Sequence, residues 1–323
     1  MSFNNHLSNL SAHLALQIIQ KEGIDEFCAS PHDLAVICHD KHYALCDVFG
    51  QLLFHLAQMN VFEHRGEVYV LSDEWQQALP IKTVSERYLR KENSYSIYLF
   101  LQKLANNFLE IIRKESQKIN LKELIYYLDA IDSCKGFQHI RAEAINQLAL
   151  KGITEKILDI NFGLGYSSIQ LATIFPESTI YSIQLTKELN EAYDYTLMRY
   201  NKQNLAFTTS YVSPIIRKLV KDKVDLIFGF NLLNLQNGKQ NQILKLANQV
   251  AHENTSLLFY TPFANEPQNC FIPEWLGRLV DGMGDYSDYE TYKLLLSKYG
   301  FEANSRIPNS NLIIARAVQN NDD

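Results

Sequence analysis

Apolar positions in the first part of the chain recur with the period of a helix. In Ser11-Ala12-His13-Leu14-Ala15-Leu16-Gln17-Ile18-Ile19 they fall on one face. Ser30-Pro31-His32-Asp33 reads as a helix start, with a capping serine, proline at the first helical position and an acidic first turn, leading into Leu34-Ala35-Val36-Ile37-Cys38. A third helix is predicted over 44–59, where Leu45, Val48, Phe49, Leu52, Leu53, Leu56 and Ala57 form a wide apolar face. Residues 61–71 then alternate around Arg65-Gly66, as two paired strands do. Short helices followed by a hairpin predict a mostly helical winged-helix domain over 1–93.

Residues 94–150 return to the helical period. Tyr98, Leu99, Leu101, Leu104, Ala105, Phe108, Leu109, Ile111 and Ile112 make a broad apolar surface, and 121–131 is another helix rich in Leu, Ile and Tyr. From Lys156 the pattern becomes strand–helix alternation. Strands are predicted at 157–160, 179–185, 206–211, 225–230, 256–261 and 312–317, with helices at 168–175, 187–200, 239–251 and 289–299. Such alternation implies a parallel sheet covered on both faces, an α/β Rossmann-like domain over 151–318. The tail, 319–323, is expected to fray.

Composition narrows the function classes. The chain has 323 residues, 46% of them apolar, enough for conventional cores in about two domains. No apolar run approaches the roughly 20 residues that a membrane helix needs. The polar start, without a basic stretch followed by an apolar one, points to a cytoplasmic protein with no membrane partner. Net charge is −6, and residues 1–90 hold 11 acidic against 6 basic side chains. DNA binding needs a basic face to displace counterions, and the presumed recognition helix offers only Lys41. Dimerisation, not nucleic-acid binding, is therefore the expected role of this domain. Five cysteines without C-x-x-C spacing are expected to be reduced and mostly buried. Cys28, Cys38 and Cys46 lie near His32, His39 and His42, but their spacing matches no zinc pattern, so no metal is expected.

The segment that carries chemistry is Asp159-Ile160-Asn161-Phe162-Gly163-Leu164-Gly165, a strand ending in a glycine turn that opens a helix at Ser167-Ser168. Glycines there let a ligand approach the backbone, and the helix start supplies free N–H groups. With the ordered strands that follow and the late Leu295-Leu296-Ser297-Lys298-Tyr299-Gly300-Phe301, the chain resembles the two-domain S-adenosylmethionine-dependent O-methyltransferases of natural-product pathways, the hydroxyindole and caffeate type. The resemblance spans nearly the whole length. It implies a homodimer interlocked through the N-terminal and linker helices, and S-adenosyl-L-methionine or S-adenosyl-L-homocysteine over the glycine turn.

Carried over residue by residue, the resemblance assigns cofactor contacts to Asp159, Asn161, Gly163, Gly165, Gln184, Leu185, Ser210, Tyr211 and Asn231. Four positions depart from the family pattern. Asn161 replaces the first glycine, Gln184 the acid that takes the ribose hydroxyls, and Ser210 an aspartate near adenine; Tyr211 beside it either stacks on adenine or packs. The catalytic histidine position holds Asn234, which cannot act as a base near neutral pH. No histidine lies between His139 and His252. His139 is the candidate replacement base, and with Trp275, Met283 and Tyr286 it is expected to line an apolar substrate pocket.

Three functions follow: a methyltransferase acting on a small aromatic or apolar substrate that needs no histidine base, a same-fold enzyme of decarboxylase, hydroxylase or pericyclase type, and a non-catalytic dimeric partner subunit.

Overall fold

A computed structural model describes residues 3–73, 75, 86–91, 94–114, 118–149, 154–230, 235, 237–264, 272–306 and 311–318. The chain divides into two compact units, Met1–Glu123 with Glu266–Met283, and Leu124–Asn265 with Gly284–Asp323.

The first unit opens with α1 (Phe3–Lys21) and α2 (Ile24–Phe27), then β1 (His32–Asp33), α3 (Leu34–Lys41), α4 (Cys46–Gln58) and the hairpin β2 (Phe62–Arg65) and β3 (Val68–Leu71). Gly66, at φ +66, supplies the left-handed turn of the hairpin. α3 starts later than the Ser30-Pro31 signal predicted. His32 and Asp33 pair with Tyr69 and Val68 as a third strand, and Asp33 takes the cap by accepting the Ala35 N–H at 2.8 Å. α5 (Glu86–Lys91) and α6 (Tyr95–Lys114) follow, and α6 buries Phe100, Leu104, Phe108 and Ile112. A short helix, Glu274–Gly277, returns to this unit: fully buried Trp275 meets Phe108 edge-on at 5.2 Å, and Arg278 pairs with Asp47. Cys38 and Cys46 form a disulfide, a correction to the expectation of reduced thiols. The left-handed residue His42, φ 55, turns the chain back so that the end of α3 meets the start of α4.

The second unit takes up from α7 (Leu121–Asp132) and α8 (Lys135–Ala149). Then come β4 (Lys156–Asn161), α9 (Tyr166–Ile174), β5 (Thr179–Gln184), α10 (Asn190–Tyr200), β6 (Leu205–Thr208), α11 (Pro214–Asp222), β7 (Val224–Phe230), α12 (Asn237–Val250), β8 (Ala251–Tyr260), α13 (Tyr289–Lys298), β9 (Phe301–Arg306) and β10 (Leu312–Ala317). The seven-stranded sheet runs β6-β5-β4-β7-β8-β10-β9; β6 through β8 are parallel, while β10 is antiparallel to both its neighbours. This is a Rossmann-like α/β sheet. β4 and β5 are almost continuously buried, as strands covered on both faces must be.

Three details differ from the sequence expectation. β6 stops at Thr208 because Ser210 and Tyr211 turn toward Ser213, which caps α11 by accepting the Ile216 N–H at 3.3 Å. α11 itself was not predicted, although Ser213-Pro214 is a cap followed by proline at the first helical position. β9 was also missed, since Phe-Glu-Ala-Asn-Ser-Arg on a sheet edge needs little apolar patterning. After β4 the chain winds to β5 and β6 on one side and then crosses to β7 on the other. The carboxyl ends of β4 and β7 therefore flank the topological switch point, where open α/β sheets hold ligands. Among the described residues no helix is long and apolar enough to cross a membrane.

Candidate functional site

Beneath the turn that leaves β4 lies a buried polar network. Asp159 has no exposed surface, and its Oδ2 accepts hydrogen bonds from Asn161 Nδ2 at 2.6 Å, Ser167 Oγ at 2.7 Å and Ser168 Oγ. Asn161 Oδ1 accepts a second contact from Ser167 at 3.0 Å, while its Nδ2 lies 3.1 Å from Ser182 Oγ. Ser182 in turn accepts the Tyr193 hydroxyl at 2.6 Å. Parallel pairing sets this up by placing Asp159 opposite Ser182 and Asn161 opposite Gln184. Asn161 thus belongs to the floor of the turn, and its bulk is accommodated because both ends of its amide are bonded. Burial pushes Asp159 up to about 6, against the pull of Ser168, Ser167, Asn161 and the Arg141 charge. Its Oδ1 has no partner among the described residues.

The two glycines have different jobs. Gly165 sits at φ +86, and a Cβ there would meet Leu197 Cδ2 at 2.7 Å and Tyr193 Cε2 at 3.1 Å. The close packing of α10 on the turn requires this glycine whatever binds above. A Cβ on Gly163 would meet only the far end of Asp132, 2.7 Å from Oδ2.

Gln184, at the carboxyl end of β5, is turned into the protein. Its Nε2 donates to Gly163 O at 2.5 Å and its Oε1 accepts the Thr186 N–H at 2.8 Å. Both ends of the carboxamide are occupied, so this side chain ties the glycine turn to β5. Thr186, two positions on, is fully buried, and its hydroxyl has no partner among the described residues. That orphaned hydroxyl supplies hydrogen-bonding capacity at the strand end where a ribose would lie, and it fits an adenosyl group there.

Above the turn, Asp132 of α7 accepts the Leu164 N–H through Oδ2 at 3.2 Å. Buried Arg141 of α8 holds it from behind: Nη1 lies 3.5 Å from Asp132 Oδ1, Nη2 donates to Asp132 O at 2.5 Å, and Nε donates to Gln170 Oε1 at 3.1 Å. Burial raises Asp132, opposed by Arg141 and the Leu164 N–H. Asp129, one helical turn earlier, accepts the Tyr166 hydroxyl at 2.7 Å. Sequence reasoning missed Asp129, Asp132 and Arg141, because no periodic signal ties α7 and α8 to a turn 32 to 37 residues beyond the two acids, and it missed Thr186, whose burial depends on how the end of β5 packs.

The structure brings Asp159, Asn161, Gly163, Gly165 and Gln184 together at one turn, with Leu185 directly following. Ser210 and Tyr211 lie on the exposed turn after β6, where Ser210 N donates to Thr208 Oγ1 at 3.2 Å and the Tyr211 hydroxyl donates to Gln242 Oε1 at 3.5 Å. His139 is exposed on α8 and lies 3.1 Å from Glu143. Trp275 and Met283 are buried in the first unit, and Tyr286 is buried in the second. Asn231 and Asn234 lie outside the described residues. At the carboxyl ends of β7 and β8 the rings of Phe230 and Tyr260 stack at 4.5 Å, with Phe137 edge-on to Phe230 at 5.4 Å.

No protein-family model and no curated protein matches this chain. Solved structures do share its fold. CurJ carbon methyltransferase superposes with a TM-score of 0.63 at 14% identity, over 97% of this chain and 91% of that one. The citrinin polyketide synthase CMeT domain gives 0.62 at 15%, over 97% and 89%. An O-methyltransferase family 2 protein from Planctomyces limnophilus, in complex with apigenin, gives 0.57 at 15%, over 98% and 95%. The chain therefore has the fold found in these methyltransferases.

Proposed function

We propose that this chain is a methyltransferase-type enzyme that holds an S-adenosyl cofactor at the glycine turn of its second unit and acts on a small, apolar or aromatic acceptor. The observation that carries the reading is the turn after β4, closed underneath by the Asp159–Asn161–Ser167–Ser168 network and lying at the switch point of the sheet. Gly163, Leu185 and the orphaned hydroxyl of Thr186 are the groups that would meet the adenosyl moiety, with Tyr211 beyond them. Bound there, the cofactor supplies a methyl group activated by a sulfonium.

The chain's own part is positioning and exclusion of water. The aromatic stack of Phe137, Phe230 and Tyr260 gives the carboxyl ends of β7 and β8 an apolar character suited to a flat acceptor. With Asn234 at the usual base position and His139 exposed, no histidine stands at the turn among the described residues, and the reading is of an acceptor that arrives nucleophilic. A stabilised carbanion or an acidic hydroxyl meets that need, and two of the structures with similar fold are themselves carbon methyltransferases. Residues 1–93 are read as a winged-helix-like homodimerisation domain. Incubation with methyl-labelled donor and a panel of β-dicarbonyl and phenolic acceptors is expected to label the former or the more acidic phenols. Labelling only of weakly acidic alcohols, which need a base, would overturn the base-free reading.

A second reading is favoured by one observation. Gln184 bonds Gly163 O and Thr186 N, and Asp132 bonds Leu164 N and Arg141, so both side chains are engaged within the chain, as they would be in a partner subunit that keeps the architecture without the cofactor. Absence of binding by any adenosyl ligand would select this reading.

A further inference from the structure

An acidic chain here gathers positive charge in one stretch. Residues 201–250 hold 7 Lys and Arg against 2 Asp, in a protein of net charge −6. Of those two acids, Asp225 is spent inside the fold, where its Oδ2 accepts the N–H groups of Glu155 and Lys156 at 3.0 and 2.8 Å, and Asp222 closes α11. α11 and α12 pack side by side and are tied at both ends. The Tyr211 hydroxyl donates to Gln242 Oε1 at 3.5 Å, and Lys223 Nζ donates to Gln249 O at 2.6 Å. α11 buries Ile216 and Leu219, which leaves Arg217, Lys218 and Lys221 exposed beside exposed Lys245 of α12. Among the described residues none of these four cations is ion-paired. Arg217 and Lys221, four positions apart, repel each other, so the helix carries a charge pattern that works against its own stability. The same stretch exposes Val212 at 81% and Val220 at 38%.

We infer that the outer face of α11 and α12 is a docking surface for a protein partner that presents carboxylates around small apolar side chains. An acidic partner relieves the repulsion among the four cations, and the exposed valines among them match an interface with an apolar centre and a charged rim. A bilayer surface needs a helix whose apolar side is free to insert, and in α11 that side is buried against the domain. A single-stranded nucleic acid needs free rings between the cations for its bases to stack on, and Tyr211 is held by its hydroxyl to Gln242. The surface belongs to the second unit alone, and it stands whether or not the glycine turn takes an adenosyl ligand.

The test is a binding titration of the full chain with three anionic probes: a helical peptide of glutamate, alanine and leucine, oligodeoxythymidylate of matched charge, and vesicles of phosphatidylserine and phosphatidylcholine. The peptide is expected to bind about tenfold more tightly than either other probe, and to weaken as salt is added. Lys218→Glu with Lys245→Glu, one exposed position on each helix, should weaken the peptide by about tenfold or more. The same change in net charge at exposed Lys122 and Lys135, where a glutamate suits the start of a helix, should alter it by less than about twofold. Val220→Ser should cost about threefold and leave the salt dependence unchanged. No binding of the peptide, or equal losses from the two double variants, would overturn the inference. Tighter binding of the oligonucleotide or of the vesicles would overturn it in favour of that other class of partner.

Discussion

One deeply buried titratable group of the first unit is His55 of α4, whose Nε2 lies 2.9 Å from Ser11 Oγ and whose Nδ1 has no partner among the described residues. Its counterpart in the second is Asp159, held by three donors. Burial disfavours the charged form of each, yet the consequences are opposite: His55 is pulled down to about 4 and Asp159 is pushed up to about 6. The first unit surrounds its histidine with apolar helices and one hydroxyl. The second surrounds its acid with hydroxyls and an amide, the construction expected where backbone must be held open for a ligand. The same physics thus gives one unit an apolar setting for its buried group and the other a bonded polar floor beneath a glycine turn.

The largest effect that sharpens this contrast belongs to the second unit. Gly165→Val puts a branched side chain at φ +86 against Leu197 and Tyr193, and it should cost about 3 kcal/mol or more, read as a large loss in denaturation midpoint. A shift within about 0.5 kcal/mol would show that the turn is not packed as described.

Next come the two pH limbs. His55, with its folded value depressed, contributes stability that is complete above about 6.5 and lost as pH falls toward 4. Asp159, with its folded value raised, contributes stability complete below about 3.8 and lost as pH rises through about 6. Each limb is worth on the order of 3 kcal/mol. Amide exchange resolved by segment should show α1 and α4 loosening in acid while β4 and β5 tighten, and Asp159→Asn should flatten the second trend alone. Parallel trends in both units would break the comparison.

Reducing the Cys38–Cys46 bridge, which spans a sequence separation of 8, should destabilise the first unit by about 2–3 kcal/mol. The double Cys→Ser variant should reproduce that loss and leave exchange in β4 unchanged. Smallest of all, Gly163→Ala asks only the end of Asp132 to move, and should change stability by under about 1 kcal/mol.

The strand–helix alternation and the glycine turn were legible in the sequence because they rest on local period and on residue types at fixed offsets. Asn161, Gln184 and Asn234 were legible as departures, but what Asn161 and Gln184 do instead was not. The engagement of Gln184 with Gly163 O and Thr186 N depends on the pairing of β4 with β5, and the seat of Asp132 on Leu164 depends on how α7 packs. Those are tertiary facts. The disulfide was hidden for a similar reason: an odd cysteine count argues against pairing until the His42 turn brings the two helix ends together. β1 escaped because two residues carry no period, and β9 because an edge strand needs none.

The claim on which the account rests is that the turn after β4 receives an adenosyl ligand. Calorimetric titration of the purified chain with S-adenosylhomocysteine tests it most directly. Saturable binding of one ligand per chain, abolished by Gly163→Val, is the predicted result. No heat of binding at any ligand concentration, or saturable binding that Gly163→Val leaves unchanged, would contradict it.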